Sequence, residues 1–309
     1  MSGKLSVLLA APRGFCAGVE RAIATVKLCL ERYGRPVYVL HEIVHNKHVI
    51  AELQAIGAIF VEHLDQIPRG EVCIFSAHGV SRAIEEKAVA LGLRTVDATC
   101  PLVTSVHGMV EKYHAMDYDV IIVGHHGHPE VEGAAGRVSG RVHVVATETE
   151  AESLVVSDPQ KVAYVTQTTL NGNDIVAILD MLKTRFPGIK GPKSSICFAT
   201  LHRQEAVRLL ARQSDLIFVV GSKNSSNSNR LREVANQCGV VAHLIDDAGD
   251  IEEIWLQGKK RIGITAGASA PERLVDGVIR WLATFTEIKV MTMAGIEEKI
   301  HFKPTELDF

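Results

Sequence analysis

The sequence lacks several features, and each absence narrows the field. Its longer apolar runs, such as Ala55-Ile56-Gly57-Ala58-Ile59-Phe60-Val61, fall far short of the roughly 20 residues a membrane helix needs. Behind Met1-Ser2-Gly3-Lys4-Leu5 there is no apolar h-region or cleavage site, so a protein retained in the cytoplasm, with no membrane partner, is expected. There is no basic excess: the formal net charge is −3, which argues against nucleic acid as the main partner. Neither a Gly-x-Gly-x-x-Gly fingerprint nor a P-loop occurs, which disfavours nicotinamide and nucleotide binding. No Cys-x-x-Cys pair is present, which disfavours zinc ribbons and bacterial-ferredoxin ligand runs.

What remains is a composition of 47% hydrophobic and 22% charged residues over 309 positions, fitting a packed soluble globule of one to three domains. Six cysteines in a cytoplasmic chain are expected as thiols or metal ligands rather than disulfides, and of the fourteen histidines, a high count, several cluster beside apolar segments.

Short β-branched runs alternate with amphipathic stretches, the pattern of an α/β protein with mainly parallel sheets. An internal register sharpens this reading. Counting 24 residues on from Cys16, Cys100 and Cys197 reaches Leu40, Gly124 and Gly221, each at the end of a strand-like run. Helical spacing fills the gaps, with Val19, Ile23, Val26 and Leu30, then Leu102, Val106, Met109 and Tyr113, then Ala206, Val207 and Leu210. Each segment continues to a second strand and a polar loop: Ser76-Ala77-His78, Thr166-Gln167-Thr168-Thr169, and Thr265-Ala266-Gly267-Ala268-Ser269. Three pseudo-symmetric α/β units follow, 1–97, 98–194 and 195–309. Parallel sheets collect polar groups at the carboxyl ends of their strands, so the three cysteines and their loops are expected to share a site. The stretch from about Lys289 to Phe309 shows no readable chemistry.

The cysteines divide. Cys29 falls inside a helix pattern, Cys73 inside a strand pattern and Cys238 just before Gly239 at an apparent helix end, and all three are expected as small buried hydrophobes. Cys16, Cys100 and Cys197 fall at strand-to-helix junctions, where the positive end of a helix dipole favours the thiolate that binds metal. Three thiolates are one short of the usual set for a cubane cluster and would leave one iron open; three-cysteine zinc stays open as a competitor. Strand-end loops add His41-Glu42-Ile43-Val44-His45-Asn46, Ser76-Ala77-His78-Gly79, His125-His126-Gly127-His128-Pro129-Glu130 and Ser222-Lys223-Asn224-Ser225-Ser226-Asn227-Ser228-Asn229. Histidines and neutral donors of this kind suit an anion, although each alone also reads as an ordinary loop or core residue.

Longer strings carry a resemblance. Pro12-Arg13-Gly14-Phe15-Cys16-Ala17-Gly18-Val19, Asp97-Ala98-Thr99-Cys100-Pro101-Leu102-Val103, Gly127-His128-Pro129-Glu130-Val131-Glu132-Gly133, Thr166-Gln167-Thr168-Thr169-Leu170 and Gly221-Ser222-Lys223-Asn224-Ser225-Ser226-Asn227-Ser228 resemble the 4-hydroxy-3-methylbut-2-enyl diphosphate reductase family of the non-mevalonate isoprenoid pathway. The resemblance implies a three-lobed α/β fold around one [4Fe-4S] cluster per chain, held by Cys16, Cys100 and Cys197, with the substrate hydroxyl on the open fourth iron. It implies that His45, His78, His128, Thr168, Ser225, Ser226, Asn227 and Ser269 bind the substrate, most of them through its diphosphate, and that Glu130 and Thr168 manage protons. It also implies electrons from a ferredoxin or flavodoxin. Two other classes compete: a hydro-lyase with an open iron, which needs no reductant, and a non-enzymatic sensor of iron or oxygen, which needs no substrate.

Overall fold

The computed structural model describes residues 4–171, 174–192 and 195–307. Strands covered by helices on both faces read as unbroken aliphatic runs, because no position faces water. The strands Asp119–Val123 and Leu216–Val220 are buried at every residue and obey this rule. Among the described residues the strands form three sheets, and every pair within them is parallel.

The first sheet is ordered β10 (Ala242–Ile245), β9 (Leu216–Val220), β11 (Arg261–Ala266), β1 (Leu5–Leu9), β12 (Ile288–Thr292). The second is ordered β3 (Ala58–Val61), β2 (Val37–Leu40), β4 (Val72–Phe75), β5 (Arg94–Asp97). The third is ordered β7 (Val142–Val145), β6 (Asp119–Val123), β8 (Val162–Thr166), and Lys190 bridges to Ala163 beside β8. The helices are α1 (Ala17–Tyr33), α2 (Lys47–Ala55), α3 (Arg82–Ala90), α4 (Pro101–Ala115), α5 (Pro129–Ala135), α6 (Glu148–Ser153), α7 (Asp174–Arg185), α8 (Phe198–Ala211), α9 (Ser226–Gln237) and α10 (Glu272–Ala283). Among the described residues no helix is long and apolar enough to cross a membrane.

The three sheets share one plan. β2, β6 and β9 occupy equivalent inner places, flanked by β4, β8 and β11, and next to these lie β5, the Lys190 bridge and β1. The chain leaves each sheet by that last element, passes a cysteine, and forms the helix leading to the next sheet: Cys16 between β1 and α1, Cys100 between β5 and α4, Cys197 between Lys190 and α8. Sheet membership therefore crosses the sequence segments at one point, since β1 pairs with β11 and β12 rather than with strands of 18–97.

By compactness the chain forms two units. The first comprises Met1–Ala17, His45–Val49 and Phe198–Ile300 and holds the first sheet; the second comprises Gly18–Val44, Ile50–Cys197 and His301–Phe309 and holds the other two. In the first unit, α10 buries Leu274, Val275, Val278 and Leu282 on one sheet face, over Val7, Phe218, Ile262 and Ile264. Helices α8 and α9 cover the other face with Val207, Leu210, Leu231 and Val234. Each such side chain contributes about 1.5–3 kcal/mol by leaving water, so the strand ends that carry the chemistry rest on a rigid base. The second unit repeats the arrangement with separate cores around Phe75, around Ile122 and around Ile121.

Candidate active site

Helix starts carry much of the chemistry that the sequence places in loops. The run Ser222–Asn229, expected as a polar loop, enters α9 at Ser226, with Ser225 as the N-cap accepting from Ser228 N. Glu130 likewise lies in the first turn of α5, behind the N-cap His128, whose Nδ1 accepts from Glu130 N at 3.2 Å. Asn46 does the same before α2, its Oδ1 accepting from His48 N at 3.1 Å and Val49 N at 3.2 Å. Short polar side chains satisfy the orphan amides of a first turn, and Pro129 sits where its missing N–H costs nothing. The three caps follow β2, β6 and β9, so they are equivalent in the repeat.

The cysteines at the crossovers are equivalent in a second way. The amide of Cys16 donates to Ala268 O at 3.2 Å, that of Cys100 to Ala77 O at 3.0 Å, and that of Cys197 to Thr168 O at 3.0 Å. Each acceptor lies two residues beyond the end of β11, β4 or β8. No disulfide joins any of the six cysteines, and these three are half-buried. Cys29 and Cys73 are fully buried, and loss of hydration pushes their thiols up to about 11 and about 12, holding them protonated. Cys238 caps the end of α9, where its place before Gly239 puts it, but departs from the expected burial: it is exposed there. Among the described residues no three His, Cys, Asp or Glu side chains gather around one ion position.

In the first unit the loop after β11 collects Cys16, Asn227, Ser269 and His45. Asn227 is 4% exposed; its Oδ1 accepts from Ala268 N at 2.8 Å, while its Nδ2 is buried without a hydrogen-bond partner. Ser269 Oγ donates to His45 O at 2.9 Å. Ser225 is buried, and Ser226 opens α9 beside it.

In the second unit Glu130, Thr168 and Cys197 form one hydrogen-bonded line. Glu130 is 3% exposed, and its carboxylate accepts from Thr168 N at 2.6 Å and from Thr168 Oγ1 at 3.0 Å. Thr168 O then accepts from Cys197 N. His78 and His128 meet edge to face with ring centroids 6.0 Å apart, and His78 Nδ1 lies 3.2 Å from Ser76 Oγ. Glu130 and Asn227 are thus counterparts: each stands two residues past its cap, and each accepts the amide of the residue whose carbonyl holds a cysteine.

Sequence reasoning passed over three residues. His107 of α4 lies under Gly79, where an added Cβ would meet its Cε1 at 2.6 Å; burial above all, with Arg137 adding to it, lowers its pKa to about 4. Arg21 donates to Thr99 O at 2.8 Å, and Arg203 donates to Gly14 O and Phe15 O. Only Arg203 left a signal, as a charge on the apolar face defined by Ala199, Ala206, Val207 and Leu210.

Comparison with known proteins identifies the family. Residues 7–283 match the family model described as LytB protein. The chain is similar to the 4-hydroxy-3-methylbut-2-enyl diphosphate reductase of Desulfotalea psychrophila, at 64% identity over 98% of this chain and 97% of that protein. It is 54% identical to the protein of the same name from Azoarcus sp., over 97% of each. The solved structure of the E-1-hydroxy-2-methyl-but-2-enyl-4-diphosphate reductase from Plasmodium falciparum is similar with a TM-score of 0.93 and 37% identity, over 98% of this chain and 96% of that one.

Proposed function

The chain belongs to the LytB protein family, and from that premise we propose that it reductively dehydroxylates 4-hydroxy-3-methylbut-2-enyl diphosphate. Two electrons and two protons convert the substrate to isopentenyl or dimethylallyl diphosphate, with the hydroxyl leaving as water. The observation that carries this reading is the line from Glu130 through Thr168 to Cys197, set within three equivalent cysteine crossovers. It links a buried acid and a hydroxyl to the backbone of one cysteine of the set suited to a cluster.

Cys16, Cys100 and Cys197 would hold one [4Fe-4S] cluster per chain. Their fit rests on equal backbone anchoring at the crossovers and on half-burial, whereas Cys29 and Cys73 are fully buried and held protonated. Bound there, the cluster would supply electrons and a Lewis-acid iron left open by the missing fourth cysteine.

The chain's own residues do the rest. Asn227 Nδ2, a buried donor without a partner, is suited to a diphosphate oxygen, and Ser225, Ser226, Ser269, His45, His78 and His128 complete the anion's donors. A hydrogen bond to a charged group contributes about 1.5–3 kcal/mol, so these contacts anchor the substrate and orient its far end. When Glu130 is protonated, the hydrogen bond with Thr168 Oγ1 reverses and the acid donates to Thr168 Oγ1. Thr168 Oγ1 passes its own hydroxyl proton to the leaving hydroxyl and is reprotonated by Glu130, so that the hydroxyl departs as water. Burial keeps bulk water from this exchange.

A one-electron donor of the ferredoxin or flavodoxin class is the matching partner, and the cytoplasm the matching compartment. The threefold division at 97/98 and 194/195 belongs to the same reading, since each cut falls between the last element of one sheet and the helix leading to the next.

The test is anaerobic incubation with substrate, with and without a chemical one-electron donor. The two diphosphate products should form only with the donor. Turnover without it would indicate a hydro-lyase, and no product under either condition would indicate a sensor.

A further inference from the structure

We infer that Arg203, clamped by Glu298, is a positioning residue for Cys16; the inference rests on the cluster reading above. Arg203 lies on α8, 1% exposed. A guanidinium is costly to bury unless its donors are all engaged. Here Nε donates to Gly14 O at 3.1 Å, and Nη2 donates to Gly14 O at 2.9 Å and to Phe15 O at 3.1 Å. Nη1 donates to Ala199 O at 2.9 Å and to both oxygens of Glu298 at 3.1 Å.

These contacts complete the backbone around one thiol. The amides of Gly14 and Cys16 donate to Ala266 O, at the end of β11, and to Ala268 O, two residues beyond it. The carbonyls of Gly14 and Phe15 are taken by the one guanidinium. Gly14 itself sits at φ +70°, a left-handed conformation, and a Cβ there would come within 3.2 Å of Ala270 O. The peptide before Cys16 is therefore held from both sides, and its thiol is presented in one orientation.

The second unit uses the same device. Arg21, on the helix that follows Cys16, donates through Nη1 to Thr99 O, the carbonyl just before Cys100. Its other nitrogens donate to Lys303 O at 3.0 Å and Thr305 Oγ1 at 2.8 Å. In each unit an arginine grips the residue preceding a cysteine, and a residue from the C-terminal stretch braces the arginine. Groups behind a metal's ligands fix ligand orientation, and losing one typically costs about 10–100-fold in metal affinity.

A lysine ammonium cannot reproduce a planar fork shared among three carbonyls and a carboxylate. Arg203→Lys is compared with Arg185→Lys, a matched variant whose arginine grips Ala151 O and Leu154 O, away from the cysteine loops. Both are made in the full chain and loaded anaerobically with iron and sulfide. We expect Arg203→Lys to fold, to release iron to a chelator about 10–100-fold faster than Arg185→Lys, and to broaden the electron paramagnetic resonance signal of the reduced protein. Glu298→Gln, which removes the clamp and leaves the carbonyl contacts, should show the same changes at smaller size, and it carries the test if Arg203→Lys does not fold. Release and line shape matching Arg185→Lys would overturn the inference. Cys16→Ser runs beside them: full iron in that variant would overturn the cluster reading itself, whereas lost iron there with an unaltered Arg203→Lys would overturn the positioning role alone.

Discussion

Glu130 and Asn227 hold the same place in two repeats and are finished differently. Both follow a helix cap by two residues, and both accept the amide of the residue that anchors a cysteine. The partner residue makes the difference. Thr168 adds a hydroxyl that occupies the second carboxylate oxygen, whereas Ala268 has none and Asn227 Nδ2 is left unpartnered. One position is therefore closed on itself, with both carboxylate oxygens taken by Thr168; the other presents a buried donor, the features on which the proposed proton and anion roles rest. The scaffold fixes where the group stands, and one atom on each side decides its chemistry.

Exchanging acid for amide should break the first position most. Glu130→Gln keeps size and the contact with Thr168 N, and should lower turnover by about 10²–10⁴-fold while leaving pyrophosphate affinity unchanged by calorimetry. Near-normal turnover would remove Glu130 from proton transfer, and loss of pyrophosphate binding would move it into the anion pocket.

The loops beneath the two positions differ as well. Gly79 of the second unit rests on His107, while Gly267 of the first rests on Ser228, which does not titrate near neutral pH. Folded, His107 titrates at about 4; unfolded, near 6.5. Between those values the unfolded chain binds the extra proton, so this contribution is complete above pH 6.5 and is lost as pH falls toward 4. It amounts to at most about 3 kcal/mol. Urea titrations across that range should show a shallower acid slope for His107→Gln than for the unaltered protein, and equal slopes would show that His107 takes up its proton without opening the loop.

The converse exchange breaks the second position. Asn227→Asp keeps the acceptor for Ala268 N but replaces the spare donor with a negative charge. Losing one hydrogen bond to a charged group is worth about 1.5–3 kcal/mol, so pyrophosphate should bind roughly ten- to 150-fold more weakly. Unchanged affinity would mean that the unpartnered amide does not face the anion. Thr168→Val, removing only the hydroxyl, should cost least, about fivefold in turnover for a single hydrogen bond of ~1 kcal/mol.

Period and register made the repeat legible. Apolar spacing located α1, α4 and α8, and the count from each cysteine found the ends of β2, β6 and β9 because one helix and one strand separate them. The pairing of β1 with β11 and β12 left no mark, since nothing in Leu5–Leu9 distinguishes a strand of one sheet from a strand of another. Helix caps were mistaken for loops because serine and asparagine favour turns and first turns alike. The C-terminal stretch looked inert, yet Glu298 and Thr305 engage the arginines beside two cysteine loops. Their role is set by tertiary contact and has no local spacing to betray it.

Cluster binding by three equivalent cysteines is the central claim, and iron and acid-labile sulfide analysis with Mössbauer spectroscopy of anaerobically prepared single-serine variants tests it most directly. Cys29→Ser, Cys73→Ser and Cys238→Ser should each retain a full [4Fe-4S] complement with one iron distinct from the rest, while Cys16→Ser, Cys100→Ser and Cys197→Ser should lose it. A full cluster in Cys100→Ser, or zinc in place of iron in the unaltered protein, would contradict the account.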